Sequence, residues 1–171
     1  PMSRFHATVA IALFAVLGVA CDDPPPEKLP PLSARVELAS GDVWPVAEKE
    51  RSRLITGAML PEKAEITVGD GSRALLRLGN GTGVFLRGGA VASIGSGQIE
   101  LKKGELWADI PADERALGRF VAGGVTVAAA DTGVDLKLVG GEVTVYVARG
   151  LAVVEAPGGR TEVEDGEQAV V

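Results

Sequence analysis

The sequence has few of the side chains on which enzyme active sites depend. One histidine, His6, and one cysteine, Cys21, occur in 171 residues, and aromatic residues make up 4%. His6 lies in a segment that we expect to be removed, so Ser-His-Asp and Cys-His nucleophiles and His/Cys zinc sites are excluded from the rest of the chain. No Asp-x-Asp loop suited to calcium is present. The sequence therefore predicts no catalytic residue, no metal site and no small-molecule cofactor.

No uncharged run in the sequence is long enough for a membrane span, but a short one near the N-terminus predicts export. Arg4 precedes the stretch Ala7–Ala20, whose 14 residues carry no charge. A helix of that length reaches about 21 Å at ~1.5 Å per residue, short of the roughly 30 Å hydrocarbon core. A positive start, a short apolar stretch and small residues before a cut are typical of a secretory signal. We predict that residues 1–20 form this removable signal.

Cys21 directly follows the predicted cut. Residues 17–21, Leu-Gly-Val-Ala-Cys, resemble the lipobox of bacterial lipoproteins, although Gly18 stands where leucine is usual. Gly18 and Ala20 also fit the small-x-small rule of ordinary signal cleavage. A cysteine without a partner in its own chain, in an oxidising compartment, is lipidated, paired between chains, or free. We expect lipidation, which would anchor the protein on the periplasmic side of a membrane in the cell envelope.

The chain that remains after cleavage is acidic. Residues 1–20 contain one basic residue, Arg4, and no acidic one, so the remainder has 16 basic and 23 acidic residues and a net charge of −7. Nucleic-acid binding depends on neutralising phosphates, so a nucleic-acid partner is not expected. Residues 21–32 are rich in proline, which is typical of an extended, solvated linker after the lipidation cysteine.

Alternation of apolar and polar residues predicts strands from residue 33 onward. The pattern holds in five segments, which are Ala34–Leu38, Ala74–Leu78, Ile99–Leu101, Val134–Leu138 and Val143–Val147. Such alternation places one side of a strand on a core and the other in water. Glycine-rich breaks between the runs supply the backbone conformations that tight turns need. We predict an all-β domain over residues 33–171, with about a dozen short strands in a sandwich or solenoid-like roll and little helix.

A Gly-acid-apolar motif recurs at Gly41, Gly104 and Gly141. The motif is either a recurring turn chemistry or the repeat of a stacked solenoid, and the irregular spacing favours a turn. Trp44 and Trp107 follow two of the copies. They are either packed in the sheet or exposed as candidate residues for contact with a protein or a glycan.

The order of motifs over residues 33–171 resembles the FecR domain of bacterial envelope proteins. The segments that carry the resemblance are 36–44, 60–78, 79–84, 99–107, 125–138, 144–154 and 166–169. The resemblance implies a domain that contacts an envelope protein or a cell-wall polymer. The best-known members are regulators that also carry a cytoplasmic sigma-binding segment before a membrane helix. About five residues precede the apolar run here, so that segment is not expected, and we predict a non-enzymatic lipoprotein that binds a partner, with a role in sensing or signalling.

Residues 131–133 spell the Asp-Thr-Gly of aspartic proteases. Two such aspartates share one proton and activate a water, so a single copy would need a symmetric dimer. The FecR pattern instead places a turn between strands at this position, and we expect Asp131 to be structural. A dimeric aspartic hydrolase built on Asp131 remains the alternative hypothesis, in which the protein is an enzyme and not a binding protein. A structural module of a larger surface protein is the third hypothesis.

Overall fold

The computed structural model describes residues 32–46, 53–95, 97–113 and 117–171. The predicted signal and almost all of the predicted linker lie outside the described residues. Within them the chain forms thirteen strands and no helix, which confirms the all-β prediction. These ranges accordingly contain no helix long and apolar enough to cross a membrane.

The strands follow one another along the described chain with short connections. Their bounds are β1 Ala34–Ser40, β2 Val43–Pro45, β3 Met59–Leu60, β4 Glu65–Val68, β5 Arg73–Leu78, β6 Gly83–Leu86, β7 Val91–Gly95, β8 Gln98–Ile110, β9 Gly118–Ala122, β10 Val125–Val139, β11 Glu142–Ala156, β12 Gly159–Glu164 and β13 Gln168–Val170.

All thirteen strands join one hydrogen-bonded sheet. Its main path runs β12-β11-β10-β9-β8-β6-β5-β1-β3, with β13 beside β11 and with β2, β4 and β7 on a branch that rejoins β8. Every pair is antiparallel except β8 with β9. Strand β8 has 13 residues, and β10 and β11 have 15 each. These three strands are longer than the short strands that the alternation predicts.

Two positions at which the sequence predicts turns, Gly104 and residues 131–133, are bends inside these long strands, and Gly150 is a third such bend. Gly104 lies within β8, residues 131–133 within β10 and Gly150 within β11. The φ angles of Gly104, Asp131 and Gly150 are +88°, +49° and +86°. Each is a left-handed conformation that bends a strand without ending its hydrogen bonding. The expectation that Asp131 belongs to a turn between strands is corrected: Asp131 belongs to a bulge in a continuous strand.

The bends fold the sheet over on itself. The first half of β10, from Val125 to Ala129, pairs with β9, and its second half pairs with β8. Fifteen residues in a straight strand would extend about 45–50 Å. Yet a methyl group on Gly123, just before β10, would lie 3.2 Å from Leu138 Cδ1 and 3.0 Å from Val143 Cγ2. The start of β10 thus faces its own end across the core.

The bends of β10 and β11 are fitted to each other. Ala130 pairs with Leu151 and Gly133 with Arg149, so residues 131 and 132 both face Gly150. The Thr132 side chain is buried, and its hydroxyl lies 2.7 Å from the carbonyl oxygen of Ala130 and 3.0 Å from that of Leu151. A buried hydroxyl needs such an acceptor, and here the hydrogen bond ties the bulge to the neighbouring strand.

The core is built mainly from aliphatic side chains on the inner face of this folded sheet. Val143, Val145 and Val147 are buried as the alternation predicts. Leu38 is an exception, with 39% of its surface exposed. A register shift between Val36 and Leu38 changes the face to which β1 points, as a bulge does.

The recurring Gly-acid-apolar motif occupies unlike places in the fold. Gly41 lies between β1 and β2, Gly104 inside β8, and Gly141 in the turn between β10 and β11. What the three glycines share is a positive φ, of +82°, +88° and +93°. The motif therefore reflects a recurring local backbone conformation, and the strands around it do not repeat as stacked coils.

Candidate interaction surface

Large apolar side chains align across the outer face of the sheet. Strand register places one residue from each of β1, β5, β6, β8, β10 and β11 side by side in a single row. We call this set the aromatic row; it consists of Leu38, Leu75, Phe85, Trp107, Asp135 and Tyr146. Neighbouring side chains in such a row touch across the strands. The row therefore forms one continuous surface feature.

The aromatic row is unusual for the solvent face of an antiparallel sheet, where polar residues are the rule. Tyr146 exposes 40% of its surface, and Phe85 and Trp107 are half-buried. The Trp107 indole lies over Gly133, where a methyl group would come within 3.0 Å of its Cζ2 atom. The missing side chain at Gly133 thus gives the indole room to lie flat against β10. Aromatic groups held in this way are frequent at protein contacts.

Basic side chains flank the row on both sides. Six of them point outward from the same strands or the adjoining turn, and these are Arg35, Arg73, Arg77, Arg87, Lys137 and Arg149. Three of the arginines form ion pairs with acidic residues of neighbouring strands. Arg77 Nη2 lies 3.0 Å from Glu37, Arg87 Nε 2.8 Å from Glu105, and Arg149 Nη2 3.1 Å from Asp109.

In two of these pairs the arginine is the outer partner. The side chains of Arg77 and Arg87 are 42% and 55% exposed, while those of Glu37 and Glu105 are 26% and 23% exposed. Hydrogen bonds from Arg77 also lower the pKa of Glu37. A molecule that approaches these positions therefore meets guanidinium groups before it meets carboxylates.

Asp135 occupies the middle of the row, between Trp107 and Tyr146. Burial and, to a smaller extent, the negative charge of Glu105 together raise the pKa of Asp135 to about 6, against the opposing effect of Arg87. Asp135 and Tyr146 also line a shallow depression of about 220 Å³ together with Glu105, Lys137 and Thr144. A carboxylate that is costly to ionise thus lies beneath an otherwise apolar strip.

We expect Asp135→Asn to stabilise the domain at neutral pH. The pKa of Asp135 is raised in the folded state, so the folded protein binds this proton more tightly, and stability falls as pH rises from about 4 to about 6. Asparagine removes this cost, which should add about 1–2 kcal/mol to the free energy of unfolding at pH 7 and nothing at pH 4. Denaturant titrations at both pH values measure the difference. Equal effects at both pH values would contradict the assignment.

The structure separates the residues that the sequence singled out. Trp107 lies in the aromatic row, whereas Trp44 lies on β2 opposite Thr67, in a different row of the sheet. Trp107 is therefore brought together with Phe85 and Tyr146 and not with Trp44. Cys21 lies outside the described residues, and its lipidation stays a prediction. The residues that the structure describes include no group of three or more His, Cys, Asp or Glu that could hold a metal ion.

Sequence reasoning missed Leu75, Phe85 and Tyr146. Their signal was present as unbroken apolar runs, Ala74-Leu75-Leu76 and Val84-Phe85-Leu86, in strands that were expected to have one wet face. A run of this kind has apolar residues at both parities, which means that both faces of the strand are apolar. The side chains of such a run that face outward form an apolar surface whose contact with water is unfavourable.

Asp131 shares one guanidinium group with Asp109, because Oδ1 of each aspartate lies within 4 Å of Arg149 Nη2. Its side chain is exposed at the bend of β10, and Oδ1 is 3.8 Å from Arg149 Nη2. Its positive φ is one that aspartate and asparagine adopt more readily than other non-glycine residues. The geometry gives the residue a backbone role at the bulge.

We therefore expect Asp131→Asn to change the free energy of unfolding by no more than about 0.5 kcal/mol, because asparagine keeps the left-handed backbone and an exposed ion pair contributes little. Thermal unfolding measures this. In the same preparation, a peptide library incubated at about pH 4–5 should stay uncleaved. Cleavage that Asp131→Asn abolishes would favour the dimeric hydrolase.

Comparison with solved structures shows the fold alone. Two crystal structures, at 2.50 Å and 1.65 Å resolution, of a "putative anti-sigma factor" from Parabacteroides distasonis ATCC 8503 superpose with a TM-score of 0.57. Sequence identity is 23%, and the similarity covers 63% of this chain. The match spans 54% of the bacterial protein, about half its length. No protein-family model and no curated protein matches the sequence.

Proposed function

We propose that this chain is an exported, lipid-anchored, non-enzymatic protein of the bacterial cell envelope whose FecR-like β-domain binds a protein or polymer partner. The observation that carries the proposal is the aromatic row, five apolar side chains and Asp135 on the outer face of a sheet whose inner face forms the core. Apolar surface of this kind, with charged residues on both sides, is typical of a contact site. Sensing or signalling in the envelope is the role that we assign to this contact.

Two further observations support the proposal. The fold is similar to that of a protein described as an anti-sigma factor, a class of signalling protein. The order of motifs resembles that of FecR domains, which contact partners outside the cytoplasm. A structural module of a larger surface protein would also present such a domain, but it would not require an apolar contact strip in the middle of one face.

Cross-linking in cells tests the contact. A photoreactive phenylalanine analogue at Tyr146 lies in the aromatic row, and the same analogue at Thr126 lies on β10 outside it. We expect discrete cross-linked products from position 146 and none of the same mass from position 126. Identical products from both positions, or none from position 146, would overturn the proposed contact.

We expect Cys21→Ala to release the protein from membranes. If the Cys21 thiol carries the lipid, its loss removes the acyl chains that hold the mature protein at the bilayer. Membrane and soluble fractions measure the distribution, and inhibition of lipoprotein signal peptidase should leave the uncut precursor of the wild-type chain. A wild-type protein that is already soluble, with an unmodified thiol, would contradict lipidation.

A further inference from the structure

We propose that the aromatic row docks an amphipathic helix of a partner protein, with the apolar face of that helix on the row and acidic side chains toward the flank that carries Arg73, Arg87 and Lys137. This inference rests on the proposed function, since it names the kind of partner that the same surface takes.

The dimensions of the surface fit a helix. The row crosses six neighbouring strands, which at about 4.8 Å per strand gives a length of roughly 24 Å. A helix of about 16 residues has that length at ~1.5 Å per residue. Four of the basic residues lie two positions along the chain from a member of the row, and Arg35 and Arg149 lie three, which is about 7 Å or more to either side. The strip between them is therefore about 14 Å wide, which accommodates a helix with its side chains, about 10–12 Å in diameter.

The charge of the surface selects an acidic partner. On one flank of the row Arg35, Arg77 and Arg149 stand beside Glu37, Asp109 and Asp131. The other flank carries Arg73, Arg87 and Lys137 with one carboxylate, Glu105. This second flank is therefore basic, although the whole chain has a formal net charge of −6. Arg73 and Lys137 are exposed, and neither forms an ion pair with another described residue. Strands β11 and β12 and the turns beside them instead carry acidic residues, namely Glu142, Glu155, Glu162, Glu164, Asp165 and Glu167. An acidic segment is thus attracted to the row and repelled by that end of the sheet.

The members of the row favour a protein segment over a polysaccharide. Leu38 and Leu75 form one end of the row, and aliphatic side chains offer a sugar neither a flat ring nor a hydrogen bond. An amphipathic helix presents apolar residues at i, i+3, i+4 and i+7, with charged residues on either side of that stripe. An apolar stripe with acidic residues beside it therefore complements the row and the basic flank of Arg73, Arg87 and Lys137.

The probe is a synthetic 18-residue peptide with leucines at helical spacing and glutamates on both sides of them, matched by a peptide in which lysines replace the glutamates. Fluorescence anisotropy measures the binding of each peptide to the full mature chain at about 50 mM salt. We expect the acidic peptide to bind at least 10-fold more tightly than the basic one. We also expect its affinity to fall steeply as salt is raised, because exposed charges are screened.

Two variants and one matched control locate the site. Arg73→Glu with Lys137→Glu reverses the two unpaired cations and should weaken the acidic peptide at least 10-fold, and Trp107→Ala should do the same. Arg160→Glu, on β12, makes the same kind of charge change away from the row and should alter affinity less than 2-fold. Unfolding curves confirm that each variant is folded, and Arg73 and Lys137 are exposed, so that pair answers the question even if Trp107→Ala unfolds.

Three outcomes would overturn the inference. These are equal binding of the two peptides, an equal effect of Arg160→Glu, or binding of a carboxylated polysaccharide such as polygalacturonate that depends on Arg73 and Lys137 while the peptide does not bind. Cross-linking from Tyr146 distinguishes failure of the proposed contact from failure of the acidic-helix proposal. Cross-links without a preference for the acidic peptide leave the proposed contact standing and reject the acidic helix, while the absence of cross-links rejects both.

Discussion

Val145→Asp is expected to prevent folding of the domain. The Val145 side chain is completely buried in the middle of β11, where it faces the core beside Leu136 of β10. An aspartate there would either ionise without a partner or take up a proton, and in both cases the apolar contacts of the valine are lost. We expect a loss of more than about 4 kcal/mol in the free energy of unfolding, a large part of the stability of a domain of this size.

Thr144→Asp is the matched control, because it places the same side chain one residue earlier on the opposite face. Thr144 is paired with Lys137 across β10 and β11, so an aspartate there gains an opposite charge. The expected change is within about 0.5 kcal/mol. Circular dichroism and denaturant titration measure both variants. A folded Val145→Asp protein together with an unfolded Thr144→Asp protein would mean that β11 faces the other way.

Gly150→Ala is expected to have the second largest effect. Gly150 has φ +86°, and a methyl group there would lie 2.5 Å from the carbonyl oxygen of Asp131 and 2.9 Å from Thr132 Oγ1. The left-handed backbone costs alanine about 1–2 kcal/mol, and the clash with the bulge of β10 adds about 1–3 kcal/mol. We expect a total loss of about 2–5 kcal/mol, measured by denaturant titration.

Gly124→Ala separates the two costs. Gly124, between β9 and β10, has nearly the same φ, +84°, but no atom would lie within 4 Å of an added methyl group. This variant should therefore lose only the backbone cost of about 1–2 kcal/mol. Equal losses in the two variants would show that the bends of β10 and β11 are not packed against each other at Gly150.

The alternation of residues was sufficient to predict both the strands and most of the core. In a strand with one buried face the side-chain period is two, so Ala74, Leu76 and Leu78 could be assigned to the core without knowledge of their partners. The same reasoning failed at Leu38, because a bulge shifts the period by one residue and depends on the pairing with β5.

The long strands could not be predicted, because the sequence does not distinguish a glycine with positive φ in a turn from one in a bend within a strand. Gly104 and Gly141 have similar φ values, yet Gly141 lies in a hairpin and Gly104 in the middle of β8. The difference is set by what lies next to them. A methyl group on Gly104 would lie 2.8 Å from Ala90 Cα, whereas no atom would lie within 4 Å of a methyl group on Gly141.

The sequence by itself determined the fold class, the core face of most strands and the scarcity of catalytic side chains, since these follow from local periodicity and from composition. Only the tertiary structure decided where the strands bend and which residues form the candidate site. Trp107 and Phe85 are 22 positions apart in the chain, and Tyr146 is 39 positions beyond Trp107. They share one row because strand register, which long-range hydrogen bonds and core packing set together, places distant residues side by side.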